Sequence, residues 1–216
     1  LEMRKEAAQE WRIIMKKIDL HVHSTYSDGT NTPKELIKLA ENEGLSAIAL
    51  TDHDTLDGIP DALDAAKNSS VELIPGVELS TNFNNTEVHI VGLFLDHNNK
   101  QINDYLIYQR QSRIDRNIQM CQKFCDIGIN ITYDKMCELY PDAVITRAHF
   151  ADYLVKNKYT GDRNEAFDRY LSPGKPCFVN RHKVDPEEAI AVIHKAHGAA
   201  ILAHPVLYHL GKDQMN

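Results

Sequence analysis

Ile18-Asp19-Leu20-His21-Val22-His23-Ser24-Thr25-Tyr26-Ser27-Asp28-Gly29-Thr30 is the stretch from which the rest of the chain is read. Its first half alternates. Ile18, Leu20 and Val22 fall on one side and Asp19, His21 and His23 on the other, as on a β-strand whose side chains point to opposite faces. One face is apolar, and the other ends in two imidazoles about 7 Å apart along the strand. Two His at i and i+2, where a strand runs out, can grip one metal ion. The polar turn that follows brings the carboxylate of Asp28 back over the same end. H-x-H by itself is a weak signal, often only a polar strand end. What strengthens it is how the later strands finish.

Thr32-Pro33-Lys34-Glu35 opens a helix, with Thr32 as cap, Pro33 in the first turn and Glu35 closing a capping box; Gly44 stops it. Leu45–Leu50 then reads as a strand ending in Thr51-Asp52-His53-Asp54. Ala47, Ala49, Thr51 and His53 share one face and Ile48 and Leu50 the other, which suits a narrow barrel covered by helices. A second helix spans Asp57–Lys67. Val71–Glu78 is a strand finishing in a carboxylate, Glu87–Leu95 an apolar run carrying His89, and Ala199–Pro205 a last strand that includes His204. Strands alternating with helices, with ligand-type residues at strand C-termini, predict a parallel α/β barrel with its site at that face.

From residue 98 to 180 the pattern becomes helical. Ile107, Ile114, Ile118, Cys121 and Cys125 recur at helical spacing, and shorter helices are expected over Tyr133–Tyr140, Thr146–Asn157 and Asn164–Leu171. The organisation expected is an N-terminal extension or tag at 1–14, with Met15 as a candidate start, and the first part of the barrel at 15–97. A helical insertion at 98–180 caps the barrel mouth, and the barrel continues over 181–216.

A charge of −7 argues against a broad basic surface for a duplex DNA groove but not against a local phosphate pocket. No run of 18 apolar residues suggests a membrane span. Cys121, Cys125, Cys137 and Cys177 show no C-x-x-C pairing and read as buried thiols in a reducing cytoplasm. The 11 His exceed what a core needs. His21, His23, Asp28, His53, Glu78, His89 and His204 are the candidate metal ligands. Imidazole and carboxylate without thiolate suit two or three divalent ions, Mn2+, Zn2+ or Fe2+. A carboxylate such as Glu78 can bridge two ions about 3.5–4 Å apart, an arrangement that makes hydroxide available near neutral pH and binds phosphate oxygens.

In order, His21-Val22-His23-Ser24-Thr25-Tyr26-Ser27-Asp28-Gly29-Thr30, Leu50-Thr51-Asp52-His53-Asp54, Pro75-Gly76-Val77-Glu78 and Ala203-His204-Pro205 resemble the polymerase and histidinol phosphatase (PHP) superfamily. The likeness is strongest to the branch that hydrolyses 3′,5′-nucleoside bisphosphates and trims RNA from its 5′ end. It implies a distorted (β/α)7 barrel of PHP type. His21, His23 and Glu78 would hold one metal, Glu78, His89 and His204 a second, and Asp28 and His53 a third. The superfamily completes the first and third with a late Asp-x-His motif. None follows His204 here, and such a barrel takes about 250 residues, so a C-terminally truncated barrel is expected. The resemblance also implies an arginine on the substrate phosphate: Arg147, behind the helix cap Thr146, with Arg181 as second candidate.

The expected protein is a metal-dependent phosphoesterase in which hydroxide attacks phosphorus in line. Its expected substrates are nucleotides or other small phosphomonoesters, including a 3′,5′-nucleoside bisphosphate and short single-stranded RNA. The alternatives are a phosphatase of another metabolite, such as histidinol phosphate, and a non-catalytic PHP structural module. His97, His182, His194, His197 and His209 are expected on surfaces or helices, Asp52 and Asp54 in structural roles, Asp19 supporting His21, and Tyr26 packed at the site's mouth.

Overall fold

The computed structural model describes residues 16–84, 86–181 and 184–208. Expectations for residues 1–15, His182 and His209 lie outside them. Five strands, β1 (Lys17–Val22), β2 (Leu45–Leu50), β3 (Glu72–Phe83), β4 (Thr86–Leu93) and β5 (Ala199–Leu202), form one mixed sheet in sequence order, curled into a half-barrel. β1, β2 and β3 are parallel, whereas β4 is antiparallel to both its neighbours.

That pairing corrects the all-parallel expectation. β3 does not end at Glu78 but runs on to Phe83, where it pairs with Thr86 and hands over to β4. Only its first half, Glu72 to Pro75, pairs with β2. Glu78 is thus mid-strand, yet level with the C-terminal end of β2, where it bridges to His53. Because β4 runs backwards, His89 in its interior lies at that same end.

β1 carries a second correction. Asp19 lies opposite Ile48 and Val22 opposite Leu50, so β1 holds one residue more than β2 between these pairs, a β-bulge. Alternation breaks there: Leu20 packs on the inner apolar cluster while Val22 packs on the outer one.

The helices are α1 (Pro33–Asn42), α2 (Ile59–Ala66), α3 (Lys100–Asp126), α4 (Tyr133–Leu139), α5 (Arg147–Lys156), α6 (Arg163–Ala166) and α7 (Pro186–Lys195), with a π turn at Phe167–Leu171 and a 3-10 turn at Pro205–Tyr208. The capping box of α1 forms, with the Thr32 hydroxyl accepting from Glu35 N–H and Glu35 accepting from Thr32 N–H. Gly44 follows at φ 69°, the left-handed conformation that ends helices.

Ile48, Leu50, Val77, Leu79 and Ile90 turn outward to pack on Leu36, Ile37, Ile59, Ile193 and Leu106. Truncating a fully buried member such as Leu79 costs about 2–5 kcal/mol. Ala47, Ala49, Ile74, Val91, Leu93 and Ala203 line the inner face, as the small-inside pattern of β2 anticipates. A separate core of Met120, Phe124, Met136, Phe150, Leu154 and Leu171 holds the helical segment together. α3 belongs to both cores, since Ile102 and Leu106 near its start join the first.

The inward stripe of α3 is not the one expected. Ile107 and Ile118 are exposed, and so is Cys125, while Gln109, Arg113, Arg116 and Asn117 are buried. Cys137 is likewise exposed, leaving Cys121 and Cys177 as the buried thiols. Among the described residues no helix is long and apolar enough to cross a membrane.

Candidate metal centre

Glu78, 1% exposed, is the hub. Its Oε2 faces His21 Nε2 at 3.0 Å, His23 Nε2 at 3.0 Å and His53 Nδ1 at 3.4 Å. Its Oε1 faces His89 Nδ1 at 2.8 Å and His204 Nε2 at 2.9 Å. One carboxylate therefore divides five imidazoles between its two oxygens. Its position is fixed by backbone, because Glu78 N–H donates to Asp52 and Asp54 N–H donates to Glu78. Asp28 stands behind, 3.5 Å from both His23 Nδ1 and His53 Nε2, and accepts from the Thr146 hydroxyl at 2.9 Å.

The loop carrying Asp28 is anchored by Asp52, which accepts from Ser24 N–H and from the hydroxyls of Ser24 and Ser27 at 2.6–2.7 Å. Asp52 thus holds the His23 side of the site, a structural role. A Cβ on Gly29 would come within 2.1 Å of the His23 carbonyl oxygen, so only glycine closes this turn. Asp19 accepts from the backbone N–H of His21. Tyr26 donates to Asp61, toward α2 rather than into the cleft. His194 and His197 are exposed and His97 half-buried.

The charges are tightly opposed. Burial raises the Glu78 carboxyl, but the surrounding imidazoles more than reverse this and hold it far below the usual range. Burial lowers His89, yet its hydrogen bonds to Glu78 and Glu87 raise it to about 9. Burial dominates at His53 and brings it to about 3, so His53 is neutral. Neutral imidazole is the ligating form, and His53 Nδ1 is buried with no hydrogen bond. His21, Glu78 and His204 form one compact ligand group and His23, His53 and Glu78 another. The donor set therefore fits divalent metal ions.

A cleft of about 150 Å³ opens beside Asp28, His53 and His89, lined also by Arg113, Thr146 and Arg147. Thr146 caps α5. Arg147 crosses to Glu87 Oε2 at 2.8 Å and lies over the Phe178 ring. Arg116 is buried, with neither Nε nor one of its terminal nitrogens hydrogen-bonded. Burial and the guanidiniums of Arg113 and Arg147 pull it well below its ordinary value. Arg181 points elsewhere, pairing with fully buried Asp54 at 2.8 Å, which also pairs with Arg113.

The PHP domain pattern matches residues 19–199, a span that contains His21, His23, Asp28, His53, Glu78 and His89. The chain belongs to the PHP domain family. It is 43% identical over 195 residues to the 5′-3′ exoribonuclease of Haemophilus influenzae, covering 90% of this chain and 71% of that one. It is 37% identical over 201 residues to the 3′,5′-nucleoside bisphosphate phosphatase of Chromobacterium violaceum, covering 92% and 70%. Among solved structures, an amidohydrolase from C. violaceum with bound sulfate and no metal superposes with a TM-score of 0.87 at 36% identity, covering 92% of this chain and 70% of that one.

In this PHP domain the seven ligand candidates converge as a group, and Arg147 reaches their cleft while Arg181 does not line it. Sequence reasoning missed Arg113 and Arg116 because the exposed isoleucines of α3 drew the inward stripe to the wrong phase. Polar residues at 109, 113, 116 and 117, continuing the apolar spacing of 102 and 106, were the available signal. It also missed Glu87, which meets His89 Nε2 at 3.2 Å, and Tyr208, whose hydroxyl lies 2.9 Å from His204 Nδ1.

Proposed function

We propose that this PHP domain is a metal-dependent phosphoesterase acting on 3′,5′-nucleoside bisphosphates and on the 5′ ends of short single-stranded RNA. The observation that carries this reading is the division of Glu78: His21, His23 and His53 on one oxygen, His89 and His204 on the other. Glu78 with His21 and His23 would hold one ion, and Glu78 with His89 and His204 would hold a second. Asp28 and His53 supply a third position. Manganese, zinc or iron(II) would suit these donors. When bound, such ions lower the pKa of water and stabilise charge on a phosphoryl group.

The chain's own residues supply the rest. Arg147 and Arg113 line the cleft beside the ligands and bring positive charge to the phosphate. Buried Arg116, which attracts Glu87, adds positive charge to that field. Glu87 holds Arg147 across the cleft until then. The C. violaceum relative is a 3′,5′-nucleoside bisphosphate phosphatase, and a cleft with Arg113 and Arg147 beside the candidate ligands fits the same substrate class here. The half-barrel is read as part of a distorted (β/α)7 barrel, and free thiols fit a cytoplasmic setting.

The test is phosphate release from adenosine 3′,5′-bisphosphate with Mn2+. Wild-type release, abolished by His23→Ala and lowered at least tenfold in kcat/KM by Arg147→Met, is the expected result. Release that persists in His23→Ala would overturn the reading.

A further inference from the structure

Each imidazole on Glu78 has a second nitrogen, and on the Oε1 side both outer nitrogens have a partner of their own. His204 turns Nε2 to Glu78 Oε1 and Nδ1 to the Tyr208 hydroxyl, both at 2.9 Å. His89 turns Nδ1 to the same Oε1 at 2.8 Å and Nε2 to Glu87 Oε1 at 3.2 Å. The two histidines use opposite nitrogens inward, so something must set the choice. A ligating His commonly donates its other N–H to a carboxylate, carbonyl or hydroxyl, which fixes tautomer and ring orientation.

We propose that Tyr208 and Glu87 are the positioning residues of the Glu78 Oε1 half of the metal centre, fixing His204 to ligate through Nε2 and His89 through Nδ1. This assignment rests on the metal-dependent reading above.

The local structure supports it. His204 sits at φ 29°, outside the strand, and the 3-10 turn from Pro205 returns Tyr208 four residues later over the imidazole, ring centroids 5.6 Å apart. The Tyr208 oxygen also accepts from the backbone N–H of His89 at 2.9 Å. One hydroxyl therefore joins β4 to the end of β5 and touches both histidines of this half. A phenol oxygen can accept from two donors. It can take His89 N–H and His204 Nδ1–H together, leaving the His204 Nε2 lone pair facing inward. Glu87, two residues before His89 on the same face of β4, accepts from Nε2–H and leaves Nδ1 to face Glu78. Its other oxygen holds Arg147, so this carboxylate ties a metal ligand to a residue on the phosphate side of the cleft. On the Oε2 side His23 Nδ1 meets Ser27 and Asp28, and His53 Nε2 meets Asp28, so these two residues serve the Oε1 half alone.

The experiment is Mn2+ titration of the metal-stripped protein by calorimetry, for wild type, Tyr208→Phe, Glu87→Leu and Glu87→Gln. Circular dichroism of each stripped variant checks the fold. Expected is an affinity loss of about 10–100-fold for one class of site in Tyr208→Phe and in Glu87→Leu, with the remaining sites unchanged. Glu87→Gln keeps an acceptor oxygen and recovers most of the loss, as a metal-ligating carboxylate would not. A folded variant that binds Mn2+ as wild type does removes its residue from the assignment. Wild type that binds no Mn2+ overturns the metal-dependent reading itself, whereas normal wild-type binding with unaffected variants overturns only this inference.

Discussion

Asp54→Asn is the perturbation whose cost the structure defines best. The Asp54 carboxylate is fully buried, ion-paired with Arg113 and, at 2.8 Å, with Arg181. Burial raises its carboxyl, but the two guanidiniums overcome that and hold it far below the usual range. Asparagine keeps the shape and can still accept the Ser80 N–H bond that Oδ1 receives at 3.1 Å, but its amide nitrogen replaces Oδ2, the oxygen that accepts from both guanidiniums, so charge and both acceptor contacts are lost. Breaking a buried pair by removing one partner costs about 3–5 kcal/mol, because the other charge stays buried and uncompensated. Two guanidiniums lose the same anion here, which places the cost near about 5 kcal/mol. At about 2–4 °C per kcal/mol for a chain of this size, the melting temperature falls by about 10–20 °C. Urea unfolding at pH 7 gives the free energy, with an unchanged m-value as the check on two-state behaviour. A loss below about 1 kcal/mol, the range of an exposed pair, would refute the reasoning. So would failure of the triple change Asp54→Leu, Arg113→Met, Arg181→Met to recover stability, since replacing a whole buried network by apolar groups is often neutral.

Two further outcomes follow from the charges at the site. Arg116→Met removes buried donors without hydrogen bonds, so it stabilises the ligand-free protein by about 1–3 kcal/mol, whereas Arg147→Met, at a residue that lines the cleft, lowers inorganic phosphate affinity at least tenfold. Urea midpoints and phosphate titration read the two effects, and a destabilised variant would contradict the first. His89 is raised to about 9, so its contribution to metal-free stability is full below about pH 6.5 and is lost as pH climbs to about 9, at up to about 1.4 kcal/mol per pH unit. A urea midpoint that rises over that window in stripped protein would contradict the sign.

The candidate ligands were legible because strand alternation and turn chemistry place them, and both are local. His21, His23 and His53 stand where an apolar run gives way to polar residues, His204 where the last strand ends before Pro205, and Thr32, Glu35 and Gly44 mark a helix by capping alone. Pairing direction is not local. Nothing in Glu87–Leu95 distinguishes a parallel from an antiparallel strand, and the reversal depends on β3 continuing past Glu78 to Phe83. The bulge in β1 likewise exists only against the register of β2. On α3, Ile107, Ile114 and Ile118 suggested a core face by hydrophobicity, whereas the inward face carries buried Arg116 and Arg113, which lines the cleft beside the candidate ligands and pairs with buried Asp54. Glu87 and Tyr208 act through other side chains, and such roles have no sequence spacing of their own.

The most direct measurement is the number of Mn2+ ions bound per chain, by equilibrium dialysis and elemental analysis, in wild type and Glu78→Gln. Because Glu78 presents one oxygen to His21, His23 and His53 and the other to His89 and His204, the prediction is at least two tightly held ions in wild type and loss of both in the variant. Wild type without bound metal, or a Glu78→Gln variant that keeps both ions, would contradict the account.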